Sequence, residues 1–324
     1  MKITKVSMIF CPHRLNLLNI YQIVKIETDE GITGYGESGI TLWGAAAEKA
    51  VEHLSEILIG EDPFSTERIW QHMFRGSFFP AEGIYSCAIS AIDIALWDIK
   101  GKALNMPLYK LLGGPVRNKV VSYTHIGGNT PDILAENAKK AVKEGWKFIR
   151  WSVTATQKSG KDKEVILEPV EAIKKTVIEM AKIREAVGPD IEICLDVHTR
   201  LDTAHSITLC KQLEPYNPFF IEDPLRSENP GSYKTLERHV NVPIAAGEQW
   251  TSKWKFREVI EEETLIVKKP GGTKLTPPTE IKDEKKIVKG NVEKKKNNKI
   301  KFKEELNKLW IHGLLHLLQH LLYL

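Results

Sequence analysis

Residues 1–36 alternate apolar and polar side chains, the period of strands with one buried face. The stretch "YQIVKIETDEGITGYGES" predicts two strands around a turn at Asp29-Glu30-Gly31, a hairpin. From residue 44 the period becomes helical: "GAAAEKAVEHLSEILIG" predicts a helix stopped by Gly60, and "ERIWQHMFRG" a second, short one. "CAISAIDIALWDIKGKALNMPLYKLLGG" places apolar residues at three- and four-residue steps and predicts one helix closing on Gly113-Gly114. Strands followed by helices predict a compact α+β domain over residues 1–118.

The rhythm then changes. "KVVSYTHIG", "FIRWSVT", "EICLDVH", "FFIEDP" and "PIAAGEQ" read as strands, each followed by a helical stretch. The first of those helices, "TPDILAENAKKAVKEG", carries Thr130 as N-cap and Pro131 in its first turn. Alternation at this period predicts βα units around a parallel sheet, and five units fit by residue 263, whereas a closed barrel takes eight. The second domain is therefore expected at 119–265, as a partial (β/α) barrel.

Three of the strand stretches run into acids: Asp196, Glu222 and Glu248, spaced 26 residues apart. One βα unit repeats at about this length, so each acid is expected at the C-terminal end of a successive strand, the face where such barrels build sites. A single strand-end acid is ordinary loop chemistry, but three converging carboxylates repel one another unless a cation joins them. Oxygen ligands of this kind favour Mg²⁺. Alternation along the strand puts His198 on the same side as Asp196. Arg150, within "FIRWSVT", stays charged and has two readings: binding a carboxylate or other negative charge, or a barrel-interior ion pair.

Composition narrows the function classes. The 324 residues are 42% hydrophobic and 27% charged, which suits a globular chain. The net charge of +4 arises from residues 268–303, which hold 13 lysines and leave the remainder acidic overall. This balance does not argue for nucleic-acid binding by the folded body. Cys11, Cys87, Cys194 and Cys210 lie far apart, so reduced thiols in the cytoplasm are expected rather than a disulfide framework. No apolar run of about 20 residues predicts a membrane helix, and "SMIFC" is too short for a signal segment.

These features resemble the enolase superfamily, in its mandelate racemase/muconate lactonizing branch. The resemblance rests on Asp196, Glu222 and Glu248, and on "SAIDIALWDIKGKALNMPLYKLLGG" ahead of the barrel, and it covers residues 1 to about 265. It implies an α+β capping domain followed by a (β/α)₈-type barrel, here cut short after about five units. It also implies Mg²⁺ held by the three acids, a small sugar-acid substrate and a homo-oligomer. "LDVHTR" is similar to the acid-sugar dehydratases of the galactonate and mannonate type, in which the histidine is the general acid on the departing β-hydroxyl; His198 takes that place. The racemases carry Lys-x-Lys where this chain has Arg150 and Ser152, and the mannonate dehydratases resemble it in having an arginine there. The implied enzyme is a hydro-lyase of carbohydrate-acid catabolism that forms a 2-keto-3-deoxy acid. A racemase or epimerase of the same superfamily and a non-catalytic remnant are the alternatives. From the capping domain, His13, Arg14, Phe79 and Glu82 are candidate substrate contacts, each equally readable as surface.

Residues 266–324 depart from the family pattern. A lysine-rich stretch precedes "LWIHGLLHLLQHLLYL", where three more βα units and a second acid–base residue are expected. A shifted reading frame near residues 264–273 accounts for this text, and a barrel lacking those units is expected to be impaired.

Overall fold

The structure is a computed structural model that describes residues 1–13, 16–40, 42–153, 157–159 and 164–261. The chain divides into two compact units, Met1–Val120 and Val121–Trp250, the second resuming at Trp254.

In the first unit β1 (Ile3–His13), β2 (Asn16–Thr28) and β3 (Thr33–Glu37) form an antiparallel sheet in that order. The hairpin between β2 and β3 turns at Gly31, whose φ of 76° suits a residue without a side chain. Helices α1 (Gly44–Leu58), α2 (Thr66–Arg75) and α3 (Ile84–Ala103) follow, and then the single turn α4 (Leu108–Leu111). Val24 and Ile26 of β2 pack in one core with Leu54 and Leu58 of α1 and Ile92, Leu96 and Ile99 of α3. The single helix expected through Gly114 is broken after Ala103. Asn105 is left-handed there, with φ 48°, and Pro107 can neither donate a helical hydrogen bond nor let its predecessor stay helical.

The second unit is built on a five-stranded parallel sheet. Its strands are β4 (Thr124–His125), β5 (Phe148–Ser152), β8 (Glu192–Asp196), β9 (Phe220–Glu222) and β10 (Ile244–Ala245). A small antiparallel ribbon, β6 (Gln157–Ser159) with β7 (Glu164–Ile166), interrupts the count and was not expected from the pattern. The order is β10-β9-β8-β5-β4, and every pairing in it is parallel. Helices α5 (Pro131–Lys143), α6 (Pro169–Val187), α7 (Thr203–Leu213), α8 (Ser232–Glu237) and α9 (Lys253–Glu261) alternate with the strands. Thr130 caps α5 by accepting from Ile133 N, and Asp202 caps α7 through His205 N. Ile149, Ile193, Leu195 and Ile221 are fully buried, because strands covered on both faces are apolar throughout. Five parallel strands are thus present among the described residues, in the architecture expected for part of a (β/α)₈ barrel. Residues 266–324, including the reading of a shifted frame, lie outside the described residues.

Candidate active site

The strand register places Asp196 directly beside Glu222, and Glu222 beside Ala245. Asp196 and Glu222 therefore close adjacent strands, as expected. Glu248 does not close its strand: β10 ends at Ala245, and Glu248 lies three residues further along. The equal spacing in sequence hides this difference, because βα units of equal length need not place the strand at the same point of the unit.

His198 also departs from expectation. β8 ends at Asp196, so strand alternation does not reach residue 198. His198 and Thr199 instead take left-handed φ values of 56° and 55°. This tight turn is held by Asp196 itself, whose Oδ1 accepts from the His198 backbone N–H at 2.8 Å. The turn swings the imidazole back, and Nε2 reaches Asp196 Oδ2 at 2.8 Å. The histidine meets the acid by a different route from the one the pattern suggested.

Arg150 lies two residues deeper in β5 than the level of Asp196, which pairs with Ser152. Its side chain, 4% exposed, spans that distance upward. Nη2 bonds Asp196 Oδ2, Nε donates to Glu222 Oε2 at 2.9 Å, and Nη1 lies 2.8 Å from His125 Nε2. The Tyr123 ring covers the guanidinium at 5.6 Å and tilts against the His125 ring. The interior ion pair read for Arg150 is formed, and it stands among the site carboxylates.

Electrostatics mark an excess of negative charge. Burial raises the Glu222 carboxyl above its ordinary range, and the Asp196 and Glu248 charges add to this; the pull of Arg150 does not offset them. Burial and the Asp196 charge raise Glu248 as well. Asp223, 3% exposed, is pushed up to about 7, chiefly by burial. His198 is raised by its hydrogen bond to Asp196, against the opposing effect of burial. His125 is lowered, first by burial and then by Arg150.

Among the described residues no group of three His, Cys, Asp or Glu side chains is drawn together as a metal cage. The Arg150 fork stands between Asp196 and Glu222 instead. The donor set nevertheless fits a hard divalent cation. Asp196, Glu222 and Glu248 offer only oxygen, and their mutual repulsion is what an added cation relieves.

The first-unit candidates are less defined. Phe79 is 76% exposed with its ring edge on Phe78, and Glu82 is exposed. His13 closes β1, but its side chain lies outside the described set, and Arg14 lies outside the described residues. Sequence reading missed Tyr123 and His125. The signal was available: "YTHIGG" is a polar strand end ahead of a glycine pair, on the same barrel face as the acids.

A site of acids at the strand ends of a parallel βα sheet, in a chain that begins with an α+β unit, defines an enolase-type protein, and comparisons with known proteins agree. The description "Mandelate racemase / muconate lactonizing enzyme, N-terminal domain" matches residues 10–113. "Enolase C-terminal domain-like" matches residues 133–282, past the point near 265 where the resemblance was read to stop. A D-galactonate dehydratase of Pectobacterium atrosepticum is 40% identical over 270 residues, which are 83% of this chain and 67% of that protein. A D-galactonate dehydratase of Ralstonia pickettii is 39% identical over 271 residues, with the same coverage. A solved enolase-superfamily member from Salmonella typhimurium superposes with a TM-score of 0.75 at 35% identity, covering 82% of this chain and 72% of that one. The 3,6-anhydro-D-galactonate cycloisomerase of Zobellia galactanivorans gives 0.69 at 29% identity, covering 82% and 70%. The chain belongs to the mandelate racemase/muconate lactonizing enzyme family of the enolase superfamily. Within it the chain stands with the dehydratases, which are hydro-lyases. It spans about two thirds of the length of these curated relatives.

Proposed function

We propose that the chain is built as a Mg²⁺-dependent acid-sugar dehydratase. The reaction removes the proton next to a carboxylate and expels the β-hydroxyl as water, and the resulting enol becomes a 2-keto-3-deoxy acid. The observation that carries this reading is His198 on Asp196 beside a surplus of carboxylates, in a chain similar to D-galactonate dehydratases.

Asp196, Glu222 and Glu248 would hold the cation, which when bound supplies Lewis-acid charge beside the substrate carboxylate. Of the remaining roles, His198 serves the leaving group and Arg150 the charge; the base that accepts the substrate proton is not among them and belongs to the barrel units expected where residues 266–324 depart from the pattern. The hydrogen bond to Asp196 raises the His198 pKa, the direction a general acid requires. His198 Nε2, on a side chain 38% exposed, is held by Asp196 at 2.8 Å and Nδ1 is buried, so the ring must turn off Asp196 to hand its proton to the departing hydroxyl. Arg150 cannot act as a base; it holds Asp196 and Glu222 in place and adds positive charge below the substrate. The reduced thiols fit a cytoplasmic setting. No described helix is long and apolar enough to cross a membrane.

The test is turnover of a panel of aldonic and aldaric acids, D-galactonate included, with Mg²⁺ or with chelator. This chain is run beside a version whose reading frame is restored after residue 264. A 2-keto-3-deoxy acid is expected with Mg²⁺ only, and faster from the restored version. No product from either version sinks the reading. The cycloisomerase neighbour favours a second possibility, rearrangement without loss of water, and product mass separates the two.

A further inference from the structure

Asp223 makes more connections across the sheet ends than any reading of "FFIEDP" as strand and turn requires. Its backbone N–H donates to Ala245 O at 2.8 Å, at the end of β10. Its backbone carbonyl accepts from Thr199 N at 2.7 Å, in the left-handed turn that carries His198. Its side-chain Oδ1 accepts from Gly247 N at 3.0 Å, one residue before Glu248. The residue is itself left-handed, with φ 41°, a conformation that aspartate and asparagine tolerate better than most side chains. Its other carboxylate oxygen is buried without a partner among the described residues. A buried carboxylate kept in such surroundings calls for a reason beyond capping a turn.

Gly247 shows why the tether matters. Its φ is 130°, open to glycine, and a Cβ there would meet the Phe256 ring at 2.8 Å. The backbone before Glu248 is thus a glycine link beyond the end of β10, outside the ladder. Trp250 N donates to Gly247 O at 3.0 Å and the Gln249 side chain bonds Ser227 and Thr199 on the far side of Glu248; the Asp223 carboxylate adds the anchor on the Gly247 N–H.

We propose that Asp223 is a positioning residue whose carboxylate fixes the loop carrying Glu248 relative to Glu222. It acts through the Gly247 N–H and need not touch substrate or cation; its contact with Thr199 is through the backbone carbonyl, which any residue there supplies. The metal consequence rests on the reading of Glu248 as a ligand; the tether itself does not.

Two variants of the full chain separate the tether from backbone strain. Asp223→Asn keeps an oxygen for Gly247 N–H and tolerates the left-handed backbone. Asp223→Gly relieves the backbone and removes the oxygen. Amide hydrogen exchange in chelator is the first readout. Asp223→Gly should speed exchange of the peptide covering 246–250 by roughly tenfold or more, with the rest of the second unit unchanged. Asp223→Asn should leave it near wild type. The second readout is the Mg²⁺ concentration for half-saturation, by calorimetry. It should rise about 10- to 100-fold in Asp223→Gly and stay within about threefold in Asp223→Asn. Unchanged local exchange in Asp223→Gly, or equal loss in both variants, overturns the tether. Faster local exchange with unchanged Mg²⁺ affinity keeps the tether and overturns its role in positioning Glu248 as a ligand. A wild-type chain that binds no Mg²⁺ sinks the functional reading, while the exchange comparison still decides the tether.

Discussion

His125 Nε2 stands 2.8 Å from Arg150 Nη1, and a guanidinium can only donate. The imidazole nitrogen therefore accepts, the His125 proton sits on Nδ1, and the ring is neutral. Burial and Arg150 both lower the His125 pKa, in agreement with that tautomer. An imidazole whose folded pKa is depressed binds its proton more readily when unfolded. Stability is therefore present above the unfolded value of about 6.5 and falls as pH drops below it. His125→Gln keeps an acceptor without a titrating ring. Urea midpoints of wild type should fall between pH 7.5 and 5.5 relative to those of this variant. Parallel midpoints would show that the contact does not set the protonation state.

Arg150 is the positive group bonded to both Asp196 and Glu222. Replacing it with methionine leaves two carboxylates facing each other on adjacent strands. Removing one partner of a buried ion pair costs about 3–5 kcal/mol. Arg150→Met should be destabilised by that order in chelator, read from urea unfolding. Saturating Mg²⁺ should return part of the loss, since a cation that binds only the folded chain stabilises it by mass action. A variant as stable as wild type in chelator would mean that the carboxylates are not held ionised against each other.

Behind the sheet, Glu179 of α6 is 1% exposed, with Trp151 Nε1 at 3.4 Å and Lys175 Nζ at 3.7 Å. Burial raises its pKa, and the two partners only partly offset this. An acid whose folded pKa is raised is penalised once ionised. Its contribution is complete below the unfolded value of about 4.3 and is lost as pH rises from there through the folded value. Glu179→Gln removes this dependence. The variant should gain on wild type as pH rises from about 4 to 7, read as the difference between the two urea midpoints. A constant gap across that range would argue that Glu179 stays ionised throughout.

Much of this was legible in residue order because the relevant physics is local. The Thr130 cap, the Asp29-Glu30-Gly31 turn and the apolar runs that become buried strands all depend on neighbours in sequence. The acids were legible as a set because βα units repeat. Their exact levels were not, since Glu248 stands beyond the end of β10 and the ladder alone sets that. His198 lies beside Asp196 by a route the sequence did not show: a left-handed turn, which no alternation rule describes, brings it there. The break at Asn105 was legible in Pro107 and was overridden by a strong helical period on either side. Arg150 was legible as a barrel-interior ion pair, but which residues it meets was not, since His125 and Glu222 lie 25 and 72 residues away in sequence.

In the first unit, β3 lies so close to α3 that two of its residues have no room for a side chain. A Cβ on Gly34 would fall 2.0 Å from Ala95 O, and one on Gly36 would fall 2.0 Å from Ala91 O. Both obstacles are helix backbone, which cannot swing aside as a flexible side chain would. Gly36→Ala must therefore separate the strand from the helix and open the core that Ile92 and Leu96 share with Val24 and Ile26. Overpacking of this kind costs about 3 kcal/mol. Gly31 offers the contrast: it is left-handed, but nothing lies within 4 Å of its Cβ position. Gly31→Asn should cost under about 1 kcal/mol, because asparagine tolerates that backbone. Urea unfolding of the two variants in the full chain measures the difference directly. If Gly36→Ala unfolds at the wild-type midpoint, β3 and α3 are not packed backbone to backbone.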